Sequence, residues 1–350
     1  MSLRARVLEV SASPGEMQDY FEAQGFTDGL PVVPPTEDLV SAMIEASGLP
    51  GDSELAVVAP SQVMATVEKV AINAVMAGCR PSFMPVVVAA LRAITRPEWN
   101  LAGVQGTTHM ATPVIFVNGP IRQRIGINCS SNVFGQGFRA NATIGRAVRL
   151  VLMNIGQGLP GKTDMATLGS PCKFTFCGGE NEEQSPWDPY HVDHGMKKED
   201  NTVMVHAAEG PHNMQDHGSR NSDELLMTIA DTMNITGNNN AGLGGEIVVV
   251  LGPEHARILA GDGMSKDDVR RELHRRLRLE LSRFGSGLRA WYRKRRPATD
   301  VGPEVKEIPY LDDWKQILVM VAGGPGLHSL IIPSFGGMSR STIERIAVPA

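Results

Sequence analysis

Ile247-Val248-Val249-Val250-Leu251-Gly252-Pro253 is an unbroken β-branched run stopped by glycine and proline. Such a run predicts a strand buried on both faces, with the chain turning at its carboxyl end. A helix and a glycine turn, Leu259-Ala260-Gly261-Asp262-Gly263, follow, and then a helix from Lys266 to Phe284. The same order is read earlier in the chain. Leu55-Ala56-Val57-Val58-Ala59-Pro60 predicts a buried strand, Met76-Ala77-Gly78-Cys79-Arg80-Pro81 a turn, and Phe83 to Thr95 a helix. Each series closes on a strand ending in glycine and proline, Pro113 to Pro120 in one and Ile317 to Gly326 in the other.

The expectation is therefore an α/β fold of two similar lobes from a diverged internal repeat, with largely parallel sheets. A ligand cleft is expected between the lobes, since ligands collect beyond the carboxyl ends of parallel strands. The expected segments are a helix and Pro-rich arm (1–54), a first lobe (55–120), a loop-rich connection (121–245) and a second lobe (246–350). In the arm, Thr36 is placed to cap a helix from Glu37 to Ala46.

Composition narrows the function classes. The chain has 350 residues, 42% hydrophobic and 20% charged, with a formal net charge of −5. That balance fits a globular protein and gives no general case for nucleic-acid binding. Met1-Ser2-Leu3-Arg4-Ala5-Arg6 is not followed by a long apolar core, and Pro85 to Ile94 is too short to span a bilayer. A cytoplasmic location, no membrane partner and reduced cysteines are the resulting expectations.

The densest chemistry lies in Pro171-Cys172-Lys173-Phe174-Thr175-Phe176-Cys177-Gly178-Gly179-Glu180-Asn181-Glu182-Glu183. A short strand, Phe174 to Phe176, would deliver Cys177 as a reactive thiol, with Gly178 and Gly179 offering amides to a developing oxyanion. Glu180, Glu182 and Glu183 would transfer protons. The competing reading is a buried, inert cysteine beside a solvated acidic turn. His206, His212 and His217 lack the HExxH spacing, yet a loop could gather them around one divalent or iron-type metal ion. No organic cofactor is indicated, because neither a phosphate-binding lysine motif nor a GxGxxG turn occurs.

Polar loops supply candidates for a small-molecule substrate. Asn128, Arg139 and Asn141 lie in a glycine-punctuated stretch, with Asn141 read as the cap of a helix from Ala142 to Met153. Asn238 and Asn239 precede the Ile247 strand, and His328 and Ser329 follow the Ile317 strand. The Asn238 loop is also readable as a left-handed turn series, and the Asn128 to Asn141 stretch as a glycine-rich turn with ordinary surface arginines. Asp28, in the proline turn, is a further ligand candidate beside its reading as a structural clamp. Arg270, Arg271, Arg275, Arg276 and Arg278 follow a Ser265/Asp268 capping pair. Together with Trp291 to Arg296 they form the one nucleic-acid alternative, set against a solvated helix face.

Phe26-Thr27-Asp28-Gly29-Leu30-Pro31-Val32-Val33-Pro34-Pro35-Thr36, Val67 to Cys79 and Phe176 to Glu183 resemble signatures of a bacterial family related to the UGSC-motif (seleno)proteins. Some members are described as thiol–disulfide oxidoreductases. The resemblance spans roughly residues 20–350 and implies a bacterial source. The chain has no Cys-Gly-Ser-Cys stretch, so the redox role carries over to no residue. The expected function is a hydrolase- or lyase-type enzyme on a small polar or anionic metabolite. A thiol–disulfide oxidoreductase using Cys172 and Cys177 is the rival.

Overall fold

A computed structural model describes residues 3–296, 299, 302 and 304–349; Met1 and Ser2, used above in reading the start of the chain, lie outside the described residues. The strands are β1 (Glu54–Val58), β2 (Val63–Thr66), β3 (Thr112–Asn118), β4 (Cys177–Gly179), β5 (Thr202–Ala208), β6 (His212–Gln215), β7 (Ile247–Leu251), β8 (Arg278–Glu280), β9 (Glu307–Pro309), β10 (Ile317–Val321), β11 (His328–Ile332) and β12 (Thr342–Arg345).

Two four-stranded sheets dominate, ordered β12-β5-β3-β4 and β10-β7-β11-β6. Alternation along the strands explains how they stack. Val114 and Phe116 of β3 and Met204 of β5 share one apolar core with Val248 and Val250 of β7, Leu318 and Met320 of β10, and Ile332 of β11. The alternate residues face outward on each side. Ile115, Val117, Val203 and Val205 pack beneath the helices Val67–Met76, Met84–Ile94 and Arg139–Asn154. Ile247, Val249, Leu251, Ile317 and Val319 pack beneath the helices Ser222–Met233, Pro253–Gly261 and Lys266–Arg276. Successive strand residues point to opposite faces, so uninterrupted apolar strands fill both faces and the molecule is layered helix, sheet, sheet, helix.

The α/β class holds, but the sheets are mixed rather than largely parallel. β3/β4 and β7/β10 run parallel, whereas β3/β5, β5/β12, β7/β11 and β6/β11 run antiparallel. Each sheet loses parallel character because two of its three pairings are antiparallel, most of them between strands far apart in the chain. The shared core fills the space between the sheets, and a cleft opens only at its margin, beyond the strand ends. The expected equivalence of the Leu55 and Ile247 strands also fails. β1 pairs only with β2, antiparallel and partly exposed, outside both main sheets.

Several local boundaries shift. Thr36 precedes the helix Glu37–Ser47 without a side-chain capping bond. The helix expected to run to Phe284 stops at Arg276, and β8 follows. Ser265 and Asp268 do form the expected reciprocal capping box, and Val269, Leu273 and Leu277 are fully buried. Among the described residues no helix is long and apolar enough to cross a membrane.

Candidate functional site

The carboxyl ends of β7 and β10 open on a cleft of about 240 Å³. Gly252, Ala322 to Gly326, His328, Ser329 and the loop residues Ser131 to Val133 line it. The turn beyond β10 needs its glycines: Gly323 and Gly326 have φ of 102° and 135°, where a side chain is strained. A Cβ on Gly324 would also collide with Ser131. The turn is pinned at both ends, by Gly323 N donating to Cys129 O at 2.9 Å and Gly326 N donating to Glu254 Oε1 at 3.0 Å.

Ser329 lies at the start of β11 and is 3% exposed, yet it lines the cleft. Its Oγ is 2.8 Å from Nδ1 of His255, and Gly252 N donates to the same Oγ at 3.1 Å. His255 stands in the first turn of the helix Pro253–Gly261, which starts immediately beyond β7. Its Nε2 lies 3.1 Å from the carbonyl oxygen of Asp216. A carbonyl only accepts, so Nε2 carries the proton and Nδ1 is left to accept from Ser329 Oγ–H. Burial pushes the His255 pKa down, against smaller upward pulls from Asp216. The imidazole is therefore neutral near pH 7 and a competent base. The Asp216 carboxylate is itself held well below the usual range by Ser219, Thr228 and the Gly218 amide, although burial opposes this.

The acidic run gathers next to the cleft, at the carboxyl ends of β3 and β4. Glu180 is fully buried and accepts from Asn118 Nδ2 at 2.6 Å and Tyr190 N at 2.8 Å, with Lys266 Nζ 3.8 Å away. Burial raises its pKa, the Lys266 charge opposing. Glu182 accepts from Gly119 N at 2.7 Å and pairs with Arg122 at 3.0 Å. Glu183 takes Arg122 Nη1 and Nη2 at 3.1 and 3.0 Å and Gln123 at 2.8 Å; the Arg122 bond holds its carboxyl below the usual range. Three carboxylates thus meet, but two spend their oxygens on one guanidinium and one is sealed in.

Cys177 opens β4 instead of ending a strand, since Pro171–Lys173 forms a 3-10 turn and the ladder begins at Cys177. The thiol is 3% exposed in the core under the helices, and burial pushes its pKa well above the ordinary thiol range. Gly179 N is spent on Asn128 O at 3.1 Å rather than offered to an oxyanion. Cys172 packs against the core between the sheets, away from the core holding Cys177, and both are free thiols.

The remaining candidates are scattered. Asn141 sits inside the helix Arg139–Asn154 and does not cap it. Its side chain binds Asn128 N, Asn128 O and Val133 O at 2.8, 2.9 and 3.0 Å and so fixes the cleft wall. The Asn128 amide bonds Ser130 and Ser131, and Arg139 Nε donates to Gly78 O at 2.9 Å. Asn238 caps the helix Asn239–Leu243 and accepts from Tyr310 at 2.6 Å, while Asn239 donates to Phe335 O at 3.0 Å. His206 is buried on β5, with Nδ1 2.8 Å from Ser341 Oγ and a pKa pushed down to about 3 by burial. His212 is exposed on β6 in the other sheet, and His217 packs edge-on against His328 at 5.4 Å. Among the described residues no group of three His, Cys, Asp or Glu side chains is placed to hold a metal ion.

The arginines of the nucleic-acid alternative are engaged with acids or aromatics. Arg270 pairs with Asp267 and Asp193, Arg275 with Glu272, Arg276 with Asp223, Arg278 with Glu307 and Arg296 with Asp312; Arg271 lies over Trp314. His255 was missed by the sequence reading. The signal was a histidine two residues past Gly252-Pro253, where a helix starts at the end of a buried strand. No protein-family model matches the chain, and comparison with curated proteins finds no match.

Proposed function

We propose that the chain is a hydrolase-type enzyme acting on a small polar or anionic acyl compound in the strand-end cleft. Ser329 is the nucleophile and His255 its base. The reading rests on one observation, the 2.8 Å contact between a cleft-lining hydroxyl and a neutral imidazole of fixed tautomer. In the acylation step the Ser329 proton passes to His255 Nδ1 as Oγ bonds to the acyl carbon. His255 returns that proton to the leaving group as its bond breaks. Water then attacks the acyl-serine, giving its proton to His255, and Oγ leaves with that proton. The common order of the sheets, parallel then twice antiparallel, supports treating them as two related units whose strand ends share this cleft. No step runs through a metal ion. A lyase reading has less support, because it leaves the serine without a role.

A fluorophosphonate probe with intact-mass readout tests the assignment. One adduct on Ser329 is expected in the wild type, none in Ser329→Ala, and labelling about 100-fold or more slower in His255→Gln. Folded wild-type protein unlabelled at Ser329, or labelled equally fast without His255, would remove the proposal.

A further inference from the structure

The turn that follows β6 is built around one side chain. Asp216 is 8% exposed, and its carboxylate accepts four bonds, all from neutral donors. Gly218 N and Ser219 N donate to Oδ1 at 3.0 and 2.9 Å, which closes the turn on itself. Ser219 Oγ and Thr228 Oγ1 donate to Oδ2, each at 2.7 Å. Thr228 belongs to the helix Ser222–Met233, so the carboxylate ties the turn to that helix. The main chain is held from the other side, where Asp216 N donates to Leu327 O at 3.3 Å, two residues before Ser329.

This turn presents a carbonyl to the fully buried His255. Asp216 O lies 3.1 Å from Nε2, and Ser329 Oγ lies 2.8 Å from Nδ1 on the opposite edge of the ring. A carbonyl swings away only if its peptide plane rotates. The side-chain clamp and the bond to Leu327 both oppose that rotation. One residue thereby decides which imidazole nitrogen is free to take a proton.

The side chain contributes charge as well. Burial works against the ionised Asp216 carboxyl, but the bonds from Ser219, Thr228 and Gly218 outweigh it. Neutral donors stabilise that negative charge without cancelling it. Three ionisable groups act on His255: Asp216 from the turn, His328 from β11 and Glu254 from the same helix. Burial disfavours the imidazolium, Asp216 favours it through both carbonyl and charge, His328 opposes it and Glu254 adds a smaller favourable pull.

We infer that Asp216 is the positioning residue of the Ser329–His255 pair: its main-chain carbonyl fixes the tautomer, and its carboxylate steadies the imidazolium formed when Ser329 gives up its proton. In a Ser-His-Asp triad one carboxylate does both jobs. Here the main chain and the side chain of a single residue divide them. The inference rests on the reading of Ser329 as the nucleophile.

NMR of the imidazole nitrogens across pH, run on the full chain beside fluorophosphonate labelling, tests it. In the wild type, neutral His255 should carry its proton on Nε2, a result read without any variant. Asp216→Asn keeps an acceptor for the Gly218 and Ser219 amides, and its NH2 can donate to the two hydroxyls, so the turn persists and only the charge goes. The His255 pKa should then fall further. Ser329 labelling at pH 7 should slow roughly ten-fold, the order expected of one charge acting through an effective dielectric of about 20. Thr228→Val is the counterpart, since it removes a bond from the turn and leaves the charge. Its Tm should fall while the His255 titration and the labelling rate keep their wild-type values. An Nδ1–H tautomer in the wild type, an unmoved His255 pKa in Asp216→Asn, or labelling slowed as much by Thr228→Val as by Asp216→Asn would each overturn the inference. All three are readable in a protein whose wild type labels at Ser329. A folded wild type that takes no label there removes the nucleophile, and this role with it.

Discussion

His206 shows how one buried side chain couples stability to pH. Its Nε2 has no partner, its Nδ1 bonds Ser341, and burial lowers its pKa from 6.5 to about 3. The unfolded chain therefore binds a proton that the folded chain refuses. The stabilisation is fully present above about pH 6.5 and is lost as pH falls from there towards about 3. His255, lowered by burial as well, acts in the same direction. Urea midpoints at pH 7 and pH 5 should differ more in the wild type than in His206→Gln, which removes one titrating group. Equal pH dependence in the two proteins would contradict the assignment. The same physics explains why Cys177 could not be judged from its neighbours in the sequence. The acidic run is beside it along the chain, but strand alternation turns the thiol into the core under the helices.

At the scale of elements, the loop Asn128 to Val133 is tied to a helix by the side chain of Asn141. Asn141→Ala leaves Asn128 N and the carbonyls of Asn128 and Val133 without that partner. A loss of about 2–3 kcal/mol is expected from chemical denaturation, since orphaned buried groups bear a desolvation cost. Ser329 labelling should slow too, because Ser131 to Val133 form the cleft wall. Wild-type stability in this variant would show that the loop is held by the bonds of the Asn128 side chain to Ser130 and Ser131. The elements that were legible in the sequence are those whose signal is local. The runs at Ile247, Ile317 and Pro113 became strands, and the Ser265/Asp268 box opened its helix. Strands β6 and β12, His212-Asn213-Met214-Gln215 and Thr342-Ile343-Glu344-Arg345, carry no apolar run and were invisible. The Ser329–His255 pair was half legible. Ser329 was singled out at a strand end, whereas its base belongs to a helix that only pairing of β7 with β11 brings alongside.

Those two inconspicuous strands decide the behaviour of the whole molecule. β6 follows β5 in the chain yet pairs with β11 in the other sheet, and β12 follows β11 yet pairs with β5. β12 thus crosses back from beyond the second sheet to complete the first, and both pairings join strands far apart in the chain. Pairing partners separated this widely leave no mark in local composition, which is why mixed sheets replaced the parallel ones expected. The exchange also predicts that the two halves unfold together. Ending the chain after Arg340 removes β12 and bares β5, whose Thr202 to Ala208 are all buried and strongly apolar. An uncharged, largely apolar strand edge of that kind templates aggregation. Truncation also deletes the bond from Thr342 Oγ1 to Ala93 O at 2.8 Å, which ties β12 to the helix Met84–Ile94. The truncated protein should show a lower Tm, loss of Ser329 labelling in the other sheet, and concentration-dependent aggregation by light scattering. A monomer that keeps the wild-type Tm would mean that β12 merely lies along the edge. Loss of the first sheet with β7, β10 and β11 still melting at the wild-type temperature would mean that the halves are separate folding units.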